Sequence, residues 1–253
     1  MAARIQTTED IRQLGTILGV WAHPDDESFL AAGLLAAAVR NGQTVVCVTA
    51  TKGEAGVQDA AKWPPETLGE TRAAEMQATL EILGIRHHQW LDYPDGGCAA
   101  AATEQAVAKL APVLARYRPD TIITFGPDGL TGHHDHCTVS RWATLAAAQQ
   151  QPPPRIFHAV HTPEQYEQHL KAADAKLNMY FNIDQPPLVP LEACAIAYDL
   201  PRDILSLKHR ALLAMPSQYE QLHKVLLPRQ FYAAFAAEYF VEATPARVVA
   251  SSH

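Results

Sequence analysis

Two short stretches of this chain combine histidine and acidic residues at spacings that suit a metal ion. His23 and Asp26 lie three residues apart in the segment HPDDE, which follows an apolar run. An imidazole nitrogen and a carboxylate oxygen offered from one tight turn are ligands that a divalent metal accepts. Helix capping also explains one or two acids here, because Asp is favoured at a helix N-terminus. The first motif alone therefore leaves a metal site and a helix cap both open.

The second stretch, HHDH, begins at His133. Residues three apart on a helix share a face and adjacent residues do not, so His133 and His136 can face a metal together while His134 should point elsewhere. Asp135 can hold a histidine ring in one tautomer, as carboxylates behind metal ligands usually do. An ordinary structural position is the simpler interpretation of any single histidine among the twelve. Two such motifs, each placed after a strand, favour a metal site instead.

Both motifs are predicted to follow strands of one parallel sheet. Apolar or β-branched runs at 17–22, 44–50 and 121–125 favour buried strands, and a helix at 27–40 joins the first two. This βαβ unit predicts an α/β fold, with a Rossmann-like, mostly parallel sheet and helices on both faces. Ligands of such sheets bind outside the carboxyl ends of the strands. The two motifs therefore meet if the first and third of these strands are neighbours.

The remaining elements are predicted to complete a single domain over residues 1–253, whose motif-bearing part covers about 16–150. Residues 126–132 and 149–154 are predicted loops, and 178–197 has no clear pattern. Further helices are predicted at 66–83, 103–117, about 137–148 and 201–214, and further strands at 89–91, 156–160 and 238–242.

Composition and charge argue against several classes of protein. The formal net charge is −7 and there is no long basic run, which disfavours nucleic acid and anionic membranes as partners. A small or neutral substrate fits better. No stretch is long enough to span a bilayer, the first ten residues lack the apolar core of a signal peptide, and the four cysteines form no C-x-x-C pair. A cytoplasmic protein is therefore expected, and a homo-oligomer is possible.

A dinucleotide-binding protein is the natural rival for a Rossmann-like opening. It predicts glycines after the first strand, where a pyrophosphate approaches the helix N-terminus. This chain has Asp25, Asp26 and Glu27 there. Three carboxylates repel a phosphate, so the sequence disfavours this alternative.

The chemistry that fits the two motifs is metal-assisted hydrolysis. Three protein ligands leave a fourth position for water, and a catalytic zinc lowers the pKa of that water from about 15.7 to about 7. Asp25 adjoins Asp26 but points differently, which suits a general base, although it can equally be a plain helix cap. His133, if it is not a ligand, can stabilise an oxyanion or protonate a leaving amine. Zn²⁺ is the default metal, and Fe²⁺ also suits two histidines and one carboxylate.

Three segments together resemble the signatures of the PIG-L/LmbE family of zinc-dependent N-acetylglucosaminyl deacetylases. They are AHPDDE at 22–27, GETRAAE at 69–75 and TGHHDH at 131–136, and the resemblance runs from about residue 16 to 145. It implies a Rossmann-like fold and hydrolysis of an acetamide. The implied partner is a small-molecule N-acetylated amino sugar or its conjugate.

The resemblance also implies roles for individual residues. Asp25 would be the general base, and His133 would stabilise the oxyanion with Asp135 as its partner. The metal would have three ligands: His23, Asp26 and His136.

Two further residues match positions that bind substrate in the family, and each has an ordinary alternative. Arg72 falls on a substrate-binding arginine, but it can also form a helix-surface ion pair with Glu75. Asp95 matches a position that binds sugar hydroxyls, but it is also a common turn residue. Two positions depart from the pattern: His134 replaces a frequent proline, and Thr131 stands where some sugar deacetylases carry a tyrosine.

Two other functions remain open from the sequence. An amidase acting on another small amide, such as a thiol S-conjugate, would keep the same site. A protein of a different class would use the acids to hold a metal or another ligand on a Rossmann-like core without catalysis. The five residues His23, Asp25, Asp26, His133 and His136 argue against the second alternative because all of them are present.

Overall fold

A seven-stranded sheet forms the centre of the protein. The computed structural model describes residues 4–243, and the strand order is β3-β2-β1-β4-β5-β7-β6. The strands are β1 (Ile17–Trp21), β2 (Val45–Thr49), β3 (His87–Trp90), β4 (Thr121–Phe125), β5 (Arg155–Val160), β6 (Ile196–Asp199) and β7 (Ala237–Glu242). Strands β1 to β5 pair in parallel, and β7 runs antiparallel to β5 and β6. The predicted α/β class with a mostly parallel sheet is confirmed, while residues 1–3 and 244–253 of the predicted domain lie outside the described residues.

The helices agree best with the sequence patterns in the first half of the chain. They are α1 (Asp26–Leu30), α2 (Ala32–Arg40), α3 (Pro65–Leu83), α4 (Thr103–Tyr117), α5 (Gly129–Gly132), α6 (His134–Ala148), α7 (Pro163–Gln165), α8 (Lys171–Leu177), α9 (Arg202–Leu213), α10 (Pro216–Val225) and α11 (Pro228–Ala234). A turn of π-helix, Tyr166–Leu170, joins α7 to α8. Between residues 4 and 243, no helix is long and apolar enough to cross a membrane. The sequence patterns did not predict α5, α7, α8, α10 or α11.

Strands β1, β2 and β4 are buried at all five positions. Their continuous apolar and β-branched runs are typical of parallel strands that are covered on both faces. β1 lies between β2 and β4, with Ile17 opposite Val45 on one side and Thr121 on the other. The predicted neighbourhood of β1 and β4 is therefore confirmed. The two motifs leave the sheet side by side at the carboxyl ends of these strands.

The helix predicted at 27–40 is in fact two helices, which meet at Ala31 with φ −139°. The break exposes the first N–H groups of α2, and a buried carboxylate binds them. Glu238 of β7 accepts hydrogen bonds from Gly33 N at 2.7 Å and Leu34 N at 2.8 Å. Lys208 of α9 neutralises this carboxylate, with Nζ 2.7 Å from Glu238 Oε1. The carboxylate that binds the start of α2 therefore comes from a residue 205 positions away in sequence.

Two apolar clusters stabilise the fold. The larger one surrounds the sheet and includes β1, β2 and β4. The second one, called the C-terminal cluster below, lies among the later helices and consists of Leu170, Ala173, Leu212, Met215, Tyr219, Leu222, Leu226, Phe231, Ala234 and Phe235. Phe29 of α1 packs against it. The C-terminal cluster therefore lies beside the helix that begins in the first motif.

Candidate metal centre

The ends of β1 and β4 bring three predicted ligands together. His23 follows β1, Asp26 opens α1, and His136 lies in the first turn of α6. His23 Nδ1 lies 3.2 Å from His136 Nε2, Asp26 Oδ1 lies 3.4 Å from His136 Nε2, and Asp26 Oδ2 lies 3.8 Å from His23 Nδ1. Ligand atoms bound tetrahedrally at about 2.0–2.1 Å are about 3.3 Å apart. Asp26 faces His136 with Oδ1 and His23 with Oδ2, so the three side chains, rather than three single atoms, converge at distances close to those of a metal site.

The atoms behind the three donors fix their orientation. His136 Nδ1 lies 3.0 Å from the carbonyl of Gly129, so it carries the proton and Nε2 keeps its lone pair for a metal. The His136 ring is stacked on Phe125, with a centroid distance of 4.0 Å. Asp26 Oδ2 accepts hydrogen bonds from Ala22 N and His23 N at 3.1 and 2.8 Å. Metal-binding histidines usually have this kind of second contact.

His23 has two carboxylates behind it. Its Nε2 lies 3.0 Å from Asp95 Oδ1 and 3.4 Å from Asp135 Oδ2, which leaves Nδ1 facing His136 and Asp26. Burial alone would lower the pKa of His23, but the two carboxylates outweigh it and raise the pKa to about 10. Burial lowers the pKa of His136 to about 4. A metal needs neutral imidazoles, so His136 is ready to bind and His23 has a proton that a metal ion would replace.

Asp25 adjoins these three residues in a strained backbone conformation. Its φ is +115°, which lies in a region that non-glycine residues avoid. Residues held in such strained conformations cluster at functional sites. Burial raises the pKa of Asp25 to about 7, although the nearby guanidinium of Arg72 opposes the shift. A carboxyl group with such a pKa can accept a proton near neutral pH.

Arg72 lies under the first motif rather than on the helix surface. The side chain is 4% exposed. Nη2 donates to the carbonyl of Pro24 at 2.6 Å and to Asp25 Oδ2 at 3.1 Å, and Nη1 donates to the carbonyl of Gly53 at 2.7 Å. The alternative of a surface ion pair with Glu75 is therefore wrong. These bonds hold the turn at Pro24 and Asp25 in place.

Glu75 instead turns towards α10. Its carboxylate accepts hydrogen bonds from the backbone N–H and the hydroxyl of Ser217. Both partners are more than 140 residues away in sequence, so local helix spacing gave no sign of this contact.

His133 and Asp135 are close, but not in the way the sequence predicted. The predicted pairing of the Asp135 carboxylate with His133 is corrected, because that carboxylate binds His23 Nε2 and the backbone N–H groups of Gly96 and Cys98. His133 instead caps α6, with Nδ1 accepting from Asp135 N at 3.2 Å. A ring nitrogen that accepts a hydrogen bond carries no proton. Nε2 of the neutral His133 ring is therefore the donor.

Asp95 is half-buried, and Glu27, the remaining acid of the first motif, is buried. Asp95 Oδ2 accepts from Ala55 N at 2.9 Å, so both of its oxygens have partners. Glu27 is fully buried and accepts from the hydroxyl of Ser28 at 2.6 Å, and burial raises its pKa to about 7. His134, which was expected to point elsewhere, is exposed.

Among residues 4–243, two sets of three residues offer single donor atoms that all lie within 4.8 Å of one another, and the predicted trio is neither of them. One set is His23, His133 and His136, and the other is His23, Asp95 and Asp135. His23 belongs to both sets and to the predicted trio. Sequence reasoning missed the supporting parts of the site, the carbonyl of Gly129 and the ring of Phe125. The position of Phe125, as the last residue of the strand before the second motif, was the signal that could have pointed to its place in the site.

A cavity of about 430 Å³ opens beside the centre. Asp26, Thr131 and His136 form one side of it. Residues of α1 and in or next to the later helices, such as Phe29, Leu222 and Phe235, form much of the other side.

Comparisons with known proteins agree with this geometry. The family model described as GlcNAc-PI de-N-acetylase (PIG-L) matches residues 18–148. A 1D-myo-inositol 2-acetamido-2-deoxy-alpha-D-glucopyranoside deacetylase from Kineococcus radiotolerans is 33% identical over 173 residues. The match covers 57% of this chain and 48% of that protein, so the chain spans about half of the length of this relative.

Solved structures share the fold at low sequence identity. N,N'-diacetylchitobiose deacetylase from Pyrococcus horikoshii superposes with a TM-score of 0.65 at 20% identity, over 92% of this chain and 85% of that one. GalB, the 4-carboxy-2-hydroxymuconate hydratase of Pseudomonas putida, gives a TM-score of 0.62 at 21% identity, over 91% and 97%. These two proteins carry out different reactions, so the fold alone does not select one. The family match, which covers more than half of the residues and contains both motifs, shows that the chain belongs to the PIG-L family.

Proposed function

We propose that this protein is a metal-dependent hydrolase that removes the acyl group from an N-acetylated amino sugar or its conjugate. The observation that carries the proposal is the convergence of His23 Nδ1, Asp26 and His136 Nε2 within 3.2–3.8 Å of one another, beside the strained Asp25. Membership of the PIG-L family and the named activity of the Kineococcus relative support the choice of substrate.

His23, Asp26 and His136 would hold the metal. Zn²⁺ is the expected ion, and Fe²⁺ suits the same ligands. A divalent ion at this place supplies a Lewis acid for the amide carbonyl and makes a water molecule more acidic.

Asp25 would take the proton of the attacking water. Its raised pKa, of about 7, suits that task near neutral pH. Arg72 would act as a positioning residue, because its bonds to Pro24 and Asp25 hold the carboxylate where the turn places it.

His133 would stabilise the oxygen of the tetrahedral intermediate. The N–H of Asp135 fixes its tautomer, so that Nε2–H is free to donate. Asp135 and Asp95 would support His23 from behind. The exposed surface of the protein and its net charge of −7 suit a small-molecule substrate, without a nucleic-acid or membrane partner.

Asp25→Asn tests the proposal. The amide keeps an oxygen that can accept from Arg72 but it cannot take a proton, so acetate release should fall by about 10²–10⁴-fold. We would measure acetate release from the inositol conjugate of N-acetylglucosamine and from N,N'-diacetylchitobiose, with elemental analysis of protein purified without oxygen. Metal content should stay near that of the unchanged protein.

Two results would contradict the proposal. Undiminished turnover by Asp25→Asn would remove the general base. If the metal-loaded wild-type protein released no acetate from either substrate, the alternative of a binding protein without catalytic activity would be favoured.

A further inference from the structure

The cavity beside the metal centre has a mostly apolar lining. Most of its surface is contributed by apolar side chains from α1, from the C-terminal cluster and from residues packed against that cluster: Phe29, Leu170, Leu177, Met179, Leu222 and Phe235. Polar side chains also line it but contribute less of its surface: Asp26, Gln58, Thr131, His136, His161, Tyr180 and Gln218. A sugar ring placed against the apolar part would leave hydroxyl groups without hydrogen-bond partners, at a cost of about 1–3 kcal/mol each. An apolar group of the substrate is therefore the better occupant.

The cavity is also too large for the methyl group of an acetamide. Its volume of about 430 Å³ lies within the range of whole small-molecule sites. An acetyl methyl would leave most of this apolar space without a ligand atom. An occupant with several more carbon atoms would remove much of the apolar lining from water.

The position of the cavity identifies which part of the substrate enters it. Asp26 and His136 line the cavity as well as the metal centre, so the space begins at the place where the amide carbonyl must react. The acyl chain starts at the carbonyl carbon. The amine side starts with the sugar ring, whose hydroxyl groups the apolar part of the lining cannot satisfy.

We infer that the preferred substrate carries an N-acyl group longer than acetyl, with its alkyl chain in the cavity between α1 and the C-terminal cluster. The inference rests on the proposed function. In the reaction, water adds its hydroxyl group to the acyl carbon and the C–N bond breaks. The nitrogen takes one proton from the water and a second as the carboxylic acid ionises, so that a carboxylate of medium chain length and the amino sugar in its ammonium form leave.

A series of glucosamines with acetyl, butanoyl, hexanoyl and octanoyl groups on nitrogen tests the inference. Each methylene group that enters the cavity should raise kcat/KM by about three- to fourfold, the factor equivalent to about 0.8 kcal/mol. The rise should stop once the cavity is full. A fall in kcat/KM from acetyl to octanoyl would overturn the inference and leave deacetylation intact.

Binding without turnover gives an independent readout. In protein freed of metal by a chelator, calorimetry should show that N-octanoylglucosamine binds at least tenfold more tightly than N-acetylglucosamine. Equal affinities would contradict the inference. Tight octanoyl binding, combined with no hydrolysis of any member of the series by metal-loaded protein, would instead refute the proposed function.

Variants that fill the cavity should reverse the preference. Met179 lines the cavity and is half-buried, so Met179→Trp should reduce the ratio of octanoyl to acetyl kcat/KM by at least tenfold. Leu222→Trp provides a second test from α10 in case the first variant does not fold. Leu213→Trp is the matched control, because Leu213 is 51% exposed on α9, and its ratio should equal that of the unchanged protein.

A substrate with an apolar group on the other side of the amide gives the remaining comparison. Phenyl and methyl β-glycosides of N-acetylglucosamine differ only at the anomeric position. If the phenyl glycoside gains more in kcat/KM than the octanoyl amide does, and Met179→Trp removes that gain, the cavity binds the aglycone and the inference is wrong.

Discussion

The carboxyl edge of the sheet and the C-terminal cluster face each other across one cavity, but polar groups predominate at the first and apolar side chains at the second. At the sheet edge, nearly every functional atom has a polar partner, such as Gly129 O for His136 and Ala55 N for Asp95. The opposite side is mainly apolar, with side chains such as Leu222 and Phe235, although Tyr180 and Gln218 also line it. Hydrogen bonds fix the orientation of the groups at the sheet edge, whereas apolar contacts fix the shape of the opposite wall of the cavity.

This difference suggests a division of labour. In the proposed function the sheet edge would determine which bond reacts, because reacting groups must be held in a set geometry. In the further inference the C-terminal cluster would determine which acyl chain fits, because apolar packing discriminates by size. Variants at the sheet edge should therefore change turnover and metal affinity, while variants beyond it should change stability or selectivity.

The largest effect is expected at His136. His136→Ala removes one of the three converging donors, so zinc affinity should fall by more than about 100-fold, the upper end of what the loss of a supporting residue costs. Zinc content after dialysis and the rate of acetate release would be measured together. His134→Ala is the matched control, because His134 is an exposed histidine two positions earlier in α6, and this variant should retain zinc content and activity. Full zinc occupancy in His136→Ala would indicate that another donor set, such as His23 with Asp95 and Asp135, holds the metal.

The next effect tests how the two regions are joined. Lys208 of α9 donates to Glu238 of β7 and to the carbonyl of Phe29 at 2.9 Å, and the two charged side chains are each 1% exposed. Lys208→Met would leave a buried carboxylate without its countercharge, so the free energy of unfolding should fall by about 3–5 kcal/mol. Urea denaturation would measure it.

The same strand supplies the control for this experiment. Glu242 at the other end of β7 pairs with Arg155, and both side chains are more than a third exposed. Glu242→Gln should change the unfolding free energy by less than about 1 kcal/mol, because solvent screens such pairs. Equal losses in the two variants would mean that the buried pair does not join the regions.

A smaller effect is expected behind the metal centre. Asp135→Asn removes the negative charge from His23 Nε2 but keeps an oxygen for one backbone N–H group, so zinc affinity should fall by about 10- to 100-fold. Competition with a chromophoric chelator would measure the affinity. Asp120→Asn is the control, because Asp120 also accepts a backbone hydrogen bond, from Thr16 N at 2.8 Å, but lies at the amino end of β4. Unchanged affinity in Asp135→Asn would leave Asp95 as the carboxylate that supports His23.

Much of the sheet could be predicted because its signals are local. Continuous β-branched runs identified β1, β2 and β4, and helical spacing gave the bounds of α4 without error. Residues 178–197 and the helices α10 and α11 were not predicted. Apolar residues in short helices follow the same pattern whether they complete a core or line a cavity, so Leu222 and Phe235 gave no sign of their position.

The sequence by itself determined the chemistry at the sheet edge, since residue type and spacing at two strand ends placed His23, Asp26 and His136 within reach of one another. The roles predicted for them stay predictions until metal and turnover are measured. Only the tertiary structure decided the partners: Asp135 meets His23 across 112 residues and Arg72 meets Asp25 across 47. Such contacts depend on how the strands are ordered and how the later helices cover them. No local pattern contains that information.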